Sequence, residues 1–346
     1  MASAFSRRKP DVTRLIATLL AVVATGLPML HAQTITHTLP GSPASSDAGW
    51  RPRLALREQT LGHADRRRPV LYVHGATFPS ASSIMFRFEG RSWADALNEA
   101  GFSAWGLDFA GYGDSERYPE MTGDAPAPGA PLGRAPVAAD QIERAARFIL
   151  AETGASRLSV IAHSWGTIAT GLFLTRHPEL VERAVFFGPI ARRHTLSDVP
   201  SIGPWRLITL EEQYRRFVED VPPGHPGVLA EADLPSWNAT YLASDEDGLT
   251  RSPPAVKTPT GPAADIMAAW SGKLGYNPAA VTVPIAIVRG EWDSLCTDAD
   301  AASLRASLGS GPDSIDVKIP QGTHLMHLEQ ARAALYGAAN AFLGRK

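Results

Sequence analysis

The stretch 158–169, with the sequence LSVIAHSWGTIA, constrains the fold of this chain more than any other segment. Its first residues are apolar and partly β-branched, the pattern of a strand buried on both faces. A sharp turn at 163–166 follows, and small residues then continue as a helix to about His177. Ser164 therefore lies at the tip of a strand–turn–helix unit, with the small residues Ala162 and Gly166 two positions away on either side.

A serine at such a tip is typical of a nucleophile elbow, written in general G-x-S-x-G. The small neighbours let strand and helix approach closely while the serine holds a strained backbone. Alanine stands here in place of the first glycine, so the motif by itself is a weak signal. The alternative is a buried strand that ends at an ordinary turn serine, and other parts of the chain must decide.

Strand and helix patterns alternate along most of the chain. Short apolar runs indicate buried strands, and longer segments with an apolar stripe indicate helices. This alternation predicts a mainly parallel, doubly wound sheet with helices on both faces. The predicted strands are 53–60 (an early edge strand), 69–73, 102–108, 158–162, 183–187, 283–288 and 314–319, and the predicted helices are 92–100, 137–152, 167–177, 297–308 and 328–343.

The alternation stops between 191 and 278, where no buried-strand run occurs. A predicted helix at 207–221 and a proline-rich, aromatic segment instead indicate an inserted helical cap over the carboxyl edge of the sheet, where such sheets bind ligands. The predicted core is therefore 53–190 and 279–346, and the predicted cap is 191–278. The aromatic residues of the cap favour a substrate with an apolar or aromatic group, unless they form the cap's own core. They are Trp205, Tyr214, Phe217, Trp237, Tyr241, Trp270 and Tyr276.

The first 32 residues have the pattern of a secretory signal peptide. Four basic residues between positions 7 and 14 precede an apolar run at 15–30, and Ala32 offers a small residue for cleavage before Gln33. The apolar run is shorter than a typical membrane-spanning helix and is interrupted by polar residues, glycine and proline. A membrane anchor that stays on the protein is therefore the weaker alternative. We therefore expect export to a bacterial periplasm or to the medium, with a flexible segment from 33 to 52 and no stable membrane insertion after cleavage.

Charge and cysteine content exclude several classes of function. The chain has 346 residues, a formal net charge of −2 and one cysteine, Cys296. Removing residues 1–32 takes away four basic residues and one acidic residue and leaves a charge of −5. A chain with this net negative charge lacks the excess of basic residues that is typical of proteins that bind nucleic acid or anionic lipid. A single cysteine excludes an internal disulfide and a cysteine-based metal cluster. No metal or organic cofactor is expected, and the oligomeric state is not predicted.

A serine nucleophile needs a general base and a group that orients the base. In this topology the partners follow the serine in the order acid, then histidine, each on a loop after a later strand. Asp293 follows the predicted strand that ends at 288, and His324 follows the last predicted strand. Three sites that agree in order and context favour the elbow interpretation of Ser164.

Each partner has alternatives. Glu291 is close to Asp293 and carries the same chemical group, whereas Asp298 and Asp300 fall in the following predicted helix and are expected to face away. His327 competes with His324, but it falls in the first turn of the predicted closing helix and is interpreted as a partly buried structural histidine.

Together these motifs resemble the α/β-hydrolase fold family in its capped, single-domain form. The resemblance extends from about residue 53 to 343. Its motifs are HG at 74–75, which resembles the oxyanion loop; DFAGYGDS at 108–115, the turn after the next strand; AHSWG at 162–166, the elbow; GEWD at 290–293, the acid loop; and GTH at 322–324 with Glu329, the histidine loop.

The resemblance implies a catalytic triad, which would consist of Ser164, Asp293 and His324. The backbone N–H groups of Ala76 and Trp165 would form the oxyanion hole, with Thr77 as an alternative second donor. His74 is expected to be structural, and Asp108 is expected to fix a turn.

Ester hydrolysis of a small-molecule substrate is the leading functional hypothesis. The alternative is an aminopeptidase, because relatives that resemble proline iminopeptidases also have Ser-Trp-Gly at the elbow. Such an enzyme needs cap carboxylates for the α-amino group of its substrate, and the candidates are Glu211, Glu212, Glu219 and Asp220. A third class is a binding protein with a silent triad. Reaction with a serine-directed phosphonate separates that class from both enzymes.

Overall fold

The computed structural model describes residues 34–42, 50–123, 125–197 and 199–345. The predicted signal peptide, residues 1–32, lies outside these described residues. In the described part of the chain, no helix is both long and apolar enough to cross a membrane.

An eight-stranded sheet forms the centre of the structure and confirms the predicted fold class. Its strand order is β1-β2-β4-β3-β5-β6-β9-β10, and the six strands from β4 to β10 in this order are parallel. The strands are β1 (Thr34–Leu39), β2 (Leu54–Gln59), β3 (Asp65–Val73), β4 (Phe102–Asp108), β5 (Leu158–His163), β6 (Val181–Phe187), β7 (Trp205–Thr209), β8 (Ala255–Pro259), β9 (Ile285–Gly290) and β10 (Ile315–Ile319).

Helices cover both faces of the sheet because successive side chains of a strand point to opposite faces. In β3, Val70 and Tyr72 belong to one apolar core, whereas Leu71 and Val73 belong to the other. Helices α1 and α8 pack on the first face, and α2, α3 and α7 pack on the second. The helices are α1 (Trp93–Glu99), α2 (Ala135–Thr153), α3 (Gly166–Arg176), α4 (Leu210–Val218), α5 (Leu234–Leu242), α6 (Gly261–Trp270), α7 (Asp298–Ser307) and α8 (Arg332–Leu343).

The N-terminal edge differs from the prediction. Part of the segment predicted to be flexible, 33–52, is strand β1, which pairs antiparallel with β2, so β2 is not the edge strand. The pairing rests on backbone hydrogen bonds, and most side chains of β1 are exposed. An apolar pattern therefore does not reveal it. One side chain that anchors it is His37, whose ring stacks on Trp105 at 5.1 Å and whose Nε2 lies 2.8 Å from Glu58.

The chain leaves the sheet between β6 and β9, where the cap is predicted. The cap contains α4, α5 and α6, but also an antiparallel pair of strands, β7 and β8, that the prediction of a purely helical module missed. The segment predicted as one helix, 207–221, contains the end of β7 and then α4, which Thr209 caps. Strands β7 and β8 have five residues each, which is too few for a periodicity signal.

Most of the cap aromatic residues are buried in apolar cores. Phe217, Trp237 and Tyr241 form a core with Phe78 of the sheet domain, while Trp205 and Tyr276 join the core on the second face of the sheet. They are therefore explained by packing and give no separate support for an aromatic substrate. Tyr214 is an exception, with 45% of its surface exposed.

Candidate active site

Ser164 lies at the turn between β5 and α3 in a left-handed backbone conformation, with φ of +55°. Non-glycine residues rarely adopt this conformation, and it is held here by a hydrogen bond of 2.9 Å from the Ser164 N–H to the carbonyl oxygen of Phe187. Gly166 is needed at this turn, because a Cβ atom at that position would lie 2.5 Å from the carbonyl oxygen of His74. The turn therefore has the geometry of a nucleophile elbow.

The structure brings Ser164, His324 and Asp293 together in one chain of hydrogen bonds. The Nε2 atom of His324 lies 2.8 Å from Oγ of Ser164, and its Nδ1 lies 3.0 Å from Oδ1 and 3.1 Å from Oδ2 of Asp293. A carboxylate can only accept, so Nδ1 carries the proton and Nε2 accepts from the serine hydroxyl. The three residues are buried, with 3–4% of their surface exposed.

Local backbone groups fix the carboxylate of Asp293. The N–H groups of Leu295 and Cys296 each donate to its Oδ1 at 2.9 Å. Gly188, which follows β6, makes room for the pair. A Cβ atom there would lie 3.0 Å from both Oδ2 of Asp293 and Nδ1 of His324.

The three alternative acids make contacts away from His324. Glu291 is exposed and accepts the N–H of Gln321 at 3.0 Å. Asp298 is exposed and pairs with Arg289 and Lys318, and Asp300 accepts the N–H of Thr297 at the start of α7. Of these acids and Asp293, it is Asp293 whose carboxylate contacts Nδ1 of His324.

His327 is not in the closing helix, because α8 begins only at Arg332 and a short 3₁₀ turn at Met326–Leu328 precedes it. Its ring is fully buried between Phe78, Phe187 and His163, at centroid distances of 5.8, 5.3 and 4.7 Å. Neither ring nitrogen has a hydrogen-bond partner among the described residues. Burial lowers the pKa of His327 to about 3, so the ring is neutral and packs as an aromatic residue.

His163, next to the nucleophile, has a role that the sequence did not reveal. Its Nε2 lies 3.0 Å from the carbonyl oxygen of His324, which can only accept, so Nε2 carries a proton. Burial lowers the pKa of His163 well below its usual value and keeps the ring neutral. The residue therefore ties the histidine loop to the elbow.

His74 and Asp108 make the structural contacts that were expected of them. The Nδ1 of His74 lies 2.7 Å from the carbonyl oxygen of Gly75, and its Nε2 accepts the N–H of Phe109 at 3.2 Å. Asp108 accepts the N–H and hydroxyl of Ser80 at 2.9 and 2.6 Å. Both residues thus stabilise turns at the carboxyl edge of the sheet.

The three candidate oxyanion donors are at the expected edge. The N–H groups of Ala76, Thr77 and Trp165 donate no hydrogen bond to the described residues, and Ala76 and Thr77 line the same cavity as Ser164. The cavity has a volume of about 10 Å³, room for a single water molecule. Phe78, Leu325 and Arg216 also line it.

Arg216 was not among the predicted site residues. It lies on α4 in the cap, and its Nη1 donates to Oγ1 of Thr77 at 2.8 Å and to Oε1 of Gln213 at 3.3 Å. On α4, Gln213, Arg216 and Phe217 fall on one face, where Gln213 and Phe217 are buried. The sequence alone does not show this, because Arg216 lies among charged residues and resembles a solvated face. A charged residue on the buried face of a cap helix is unusual and points inward.

The cap also contacts the histidine loop. Backbone pairing joins Leu229 of the cap to Glu329, and Oδ2 of Asp220 accepts the N–H of His324 at 3.4 Å. Glu329 is fully buried and accepts the N–H of Thr323 at 3.2 Å and its hydroxyl as well. Burial raises the pKa of Glu329 from 4.5 to about 7.

Replacing Glu329 by glutamine is expected to remove part of the pH dependence of stability. A carboxyl group whose pKa is raised in the folded state binds its proton more tightly there, so stability falls as pH rises from about 4.5 to about 7. The loss amounts to about 3 kcal/mol at most. Urea unfolding at pH 5 and pH 8 measures it. Glu182→Gln, at an exposed position, is the control and should keep the wild-type difference in unfolding free energy between pH 5 and pH 8. If Glu329→Gln also kept that difference, the raised pKa of Glu329 would be contradicted.

Comparison with known proteins agrees with this architecture. The profile of a family described as "alpha/beta hydrolase fold" matches residues 68–331, which includes the elbow, the acid loop and the histidine loop. No curated protein sequence matches the chain.

Solved structures share the fold at low sequence identity. A thermophilic esterase from Thermogutta terrifontis is 18% identical, with 90% of this chain and 98% of that chain covered and a TM-score of 0.53. E-2-(acetamidomethylene)succinate hydrolase is 19% identical, with coverages of 90% and 100% and a TM-score of 0.54. The epoxide hydrolase VrEH1 from Vigna radiata is 15% identical, with coverages of 90% and 97% and a TM-score of 0.54.

These neighbours carry different activities on one fold, so they do not by themselves assign a reaction. The family match covers well over half of the chain and agrees with its strand order. The chain therefore belongs to the alpha/beta hydrolase fold family, which confirms the family and the enzyme class, an α/β-hydrolase, that its motifs predict.

Proposed function

We propose that this protein is a serine hydrolase that cleaves carboxylic esters through Ser164, His324 and Asp293. The observation that carries the proposal is the continuous chain of hydrogen bonds from Asp293 through His324 to Oγ of Ser164, at a strained turn. A nucleophile, a base within hydrogen-bond reach and a group that orients the base are the parts that acyl transfer requires.

The reaction follows from these contacts. As Oγ of Ser164 attacks the ester carbonyl carbon, its proton passes to Nε2 of His324, and Asp293 stabilises the resulting imidazolium. The imidazolium then protonates the leaving alcohol, which leaves an acyl group on Ser164. A water molecule, deprotonated by His324, attacks the acyl carbon in turn and releases the carboxylic acid.

Two backbone N–H groups would hold the negative oxygen of each tetrahedral intermediate. Trp165 supplies one from the start of α3, where the first amides of a helix lack partners. Ala76 supplies the second, with Thr77 as the alternative, since both line the cavity beside Ser164. Such preorganised donors usually account for the largest single part of the rate enhancement.

The charges around Ser164 disfavour the aminopeptidase hypothesis. Glu211 pairs with the exposed Arg215, and Glu212 caps the start of α4. Asp220 accepts a backbone N–H, and Glu219 is exposed at the end of α4. The charged cap residue that lines the cavity is Arg216, whose guanidinium would repel a protonated α-amino group.

A single panel of substrates tests the proposal. Purified protein is expected to react with a serine-directed phosphonate at Ser164, and to hydrolyse nitrophenyl esters faster than aminoacyl anilides of similar size. Ser164→Ala is the control that abolishes both labelling and turnover. Faster cleavage of the anilides would support the aminopeptidase instead, and wild-type protein without labelling would indicate a silent site.

A further inference from the structure

Arg216 places a positive charge at the cavity of the nucleophile, and no carboxylate of the described residues pairs with it. Its hydrogen bonds to described residues come from Nη1 alone, and both acceptors, on Thr77 and Gln213, are neutral. None of the Asp or Glu residues described by the structure forms an ion pair with it. Nε and Nη2 therefore have donors left, in the fixed fork that matches a carboxylate.

Arg216 is partly buried, and removing part of a charged side chain from water is unfavourable unless something compensates for it. Burial lowers the pKa of Arg216, and the carboxylates of Glu219 and Asp220 counter this only through space. A neutral side chain would fill the same space with a smaller desolvation free energy. A ligand that supplies the missing negative charge explains why an arginine stands here.

Among the described residues, the hydroxyl of Tyr241 is a second polar group without a hydrogen-bond partner. The hydroxyl of Tyr241 is buried and makes no hydrogen bond to the described residues. The charge of Arg216 is close enough to oppose part of the rise that burial causes in the pKa of Tyr241. Buried hydroxyls are normally hydrogen-bonded, so this one is available to a polar ligand group.

We propose that the ester substrate carries a carboxylate, or another compact anion, which binds the guanidinium of Arg216. This inference rests on the proposed function, because Arg216 is placed relative to Ser164 as the nucleophile. In the cap Arg216 is then a specificity-determining residue. Because the cavity holds only one water molecule, substrate binding requires the cap side chains to shift.

Two pairs of substrates test which part of the ester carries the anion. In the first pair, the nitrophenyl hemiester of glutaric acid is compared with nitrophenyl pentanoate, so the charge lies on the acyl part. In the second, carboxyphenyl acetate is compared with phenyl acetate, so it lies on the leaving group. Wild-type protein is expected to prefer the anionic ester, by kcat/KM, in at least one pair.

The Arg216→Gln variant is expected to lose this preference by about 10- to 100-fold, the effect of removing a charged hydrogen-bonded pair. The preference is measured as the ratio of kcat/KM between the anionic and the neutral ester of each pair. Arg216→Lys keeps the charge but not the planar fork, so it should retain part of the preference and also serves if the glutamine variant does not fold. Arg215→Gln is the matched control on the same helix, because its side chain is exposed and faces Glu211.

Wild-type protein that cleaves neutral and anionic esters equally well would overturn the inference and leave the proposed function standing. The same holds if Arg216→Gln keeps the anionic preference. Protein that cleaves no ester and fails to react with the phosphonate at Ser164 would instead overturn both, and the phosphonate result identifies that case.

Discussion

Replacing His324 by alanine is expected to lower kcat for ester hydrolysis by about 10⁴-fold or more. The imidazole is the group within reach of the Ser164 hydroxyl, with Nε2 at 2.8 Å. Without it the serine must be deprotonated by water, while substrate binding and the oxyanion donors remain. KM should therefore change much less than kcat. Steady-state kinetics with a nitrophenyl ester measures both.

His327→Ala is the matched control for this prediction. His327 lies three positions along the chain but contacts Phe78, Phe187 and His163. Its loss should leave kcat within a few fold and lower the free energy of unfolding by about 2–4 kcal/mol, as expected for a large buried side chain replaced by alanine. If His327→Ala abolished turnover and His324→Ala did not, the assignment of the base would be wrong.

The sequence was informative where function and fold share the same residues. Ser164 and Asp293 each follow a strand with a strong apolar run, and His324 follows β10, where apolar and charged residues alternate. Their positions at one edge of a parallel sheet follow from the alternation of strands and helices. The cores on both faces of the sheet were visible for the same reason. The apolar pattern of a strand reflects its burial, and the serine and acid loops follow two fully buried strands, β5 and β9.

The features that the sequence did not predict are held by interactions that produce no apolar pattern in the sequence. Strand β1 is fixed by backbone pairing with β2, and its exposed side chains read as a loop. Arg216 lies among charged residues on α4 and resembles a solvated face, although the fold turns it toward Ser164. His163 acts through the carbonyl oxygen of His324, a contact between residues far apart in the chain.

Asp293→Asn is expected to lower kcat by about 10⁴-fold while the protein stays folded. Asparagine can still accept the N–H groups of Leu295 and Cys296 through its carbonyl oxygen. Its amide NH₂ then faces Nδ1 of His324, which must become an acceptor. The imidazole proton then resides on Nε2, so Nε2 can no longer accept the proton of Ser164. The base is thus present in the wrong tautomer.

The competing explanation is that Asp293 only holds the turn before α7. In that case its loss would reduce the free energy of unfolding by about 1 kcal/mol, as for a capping residue, with little effect on turnover. Glu291→Gln and Asp298→Asn are the controls, because both carboxylates are exposed and directed away from His324. Their kcat values should stay near that of the wild type. Measuring kcat and Tm for the three variants separates the two explanations: an Asp293→Asn protein that melts lower but turns over normally would place Asp293 in the turn and leave His324 without its orienting carboxylate.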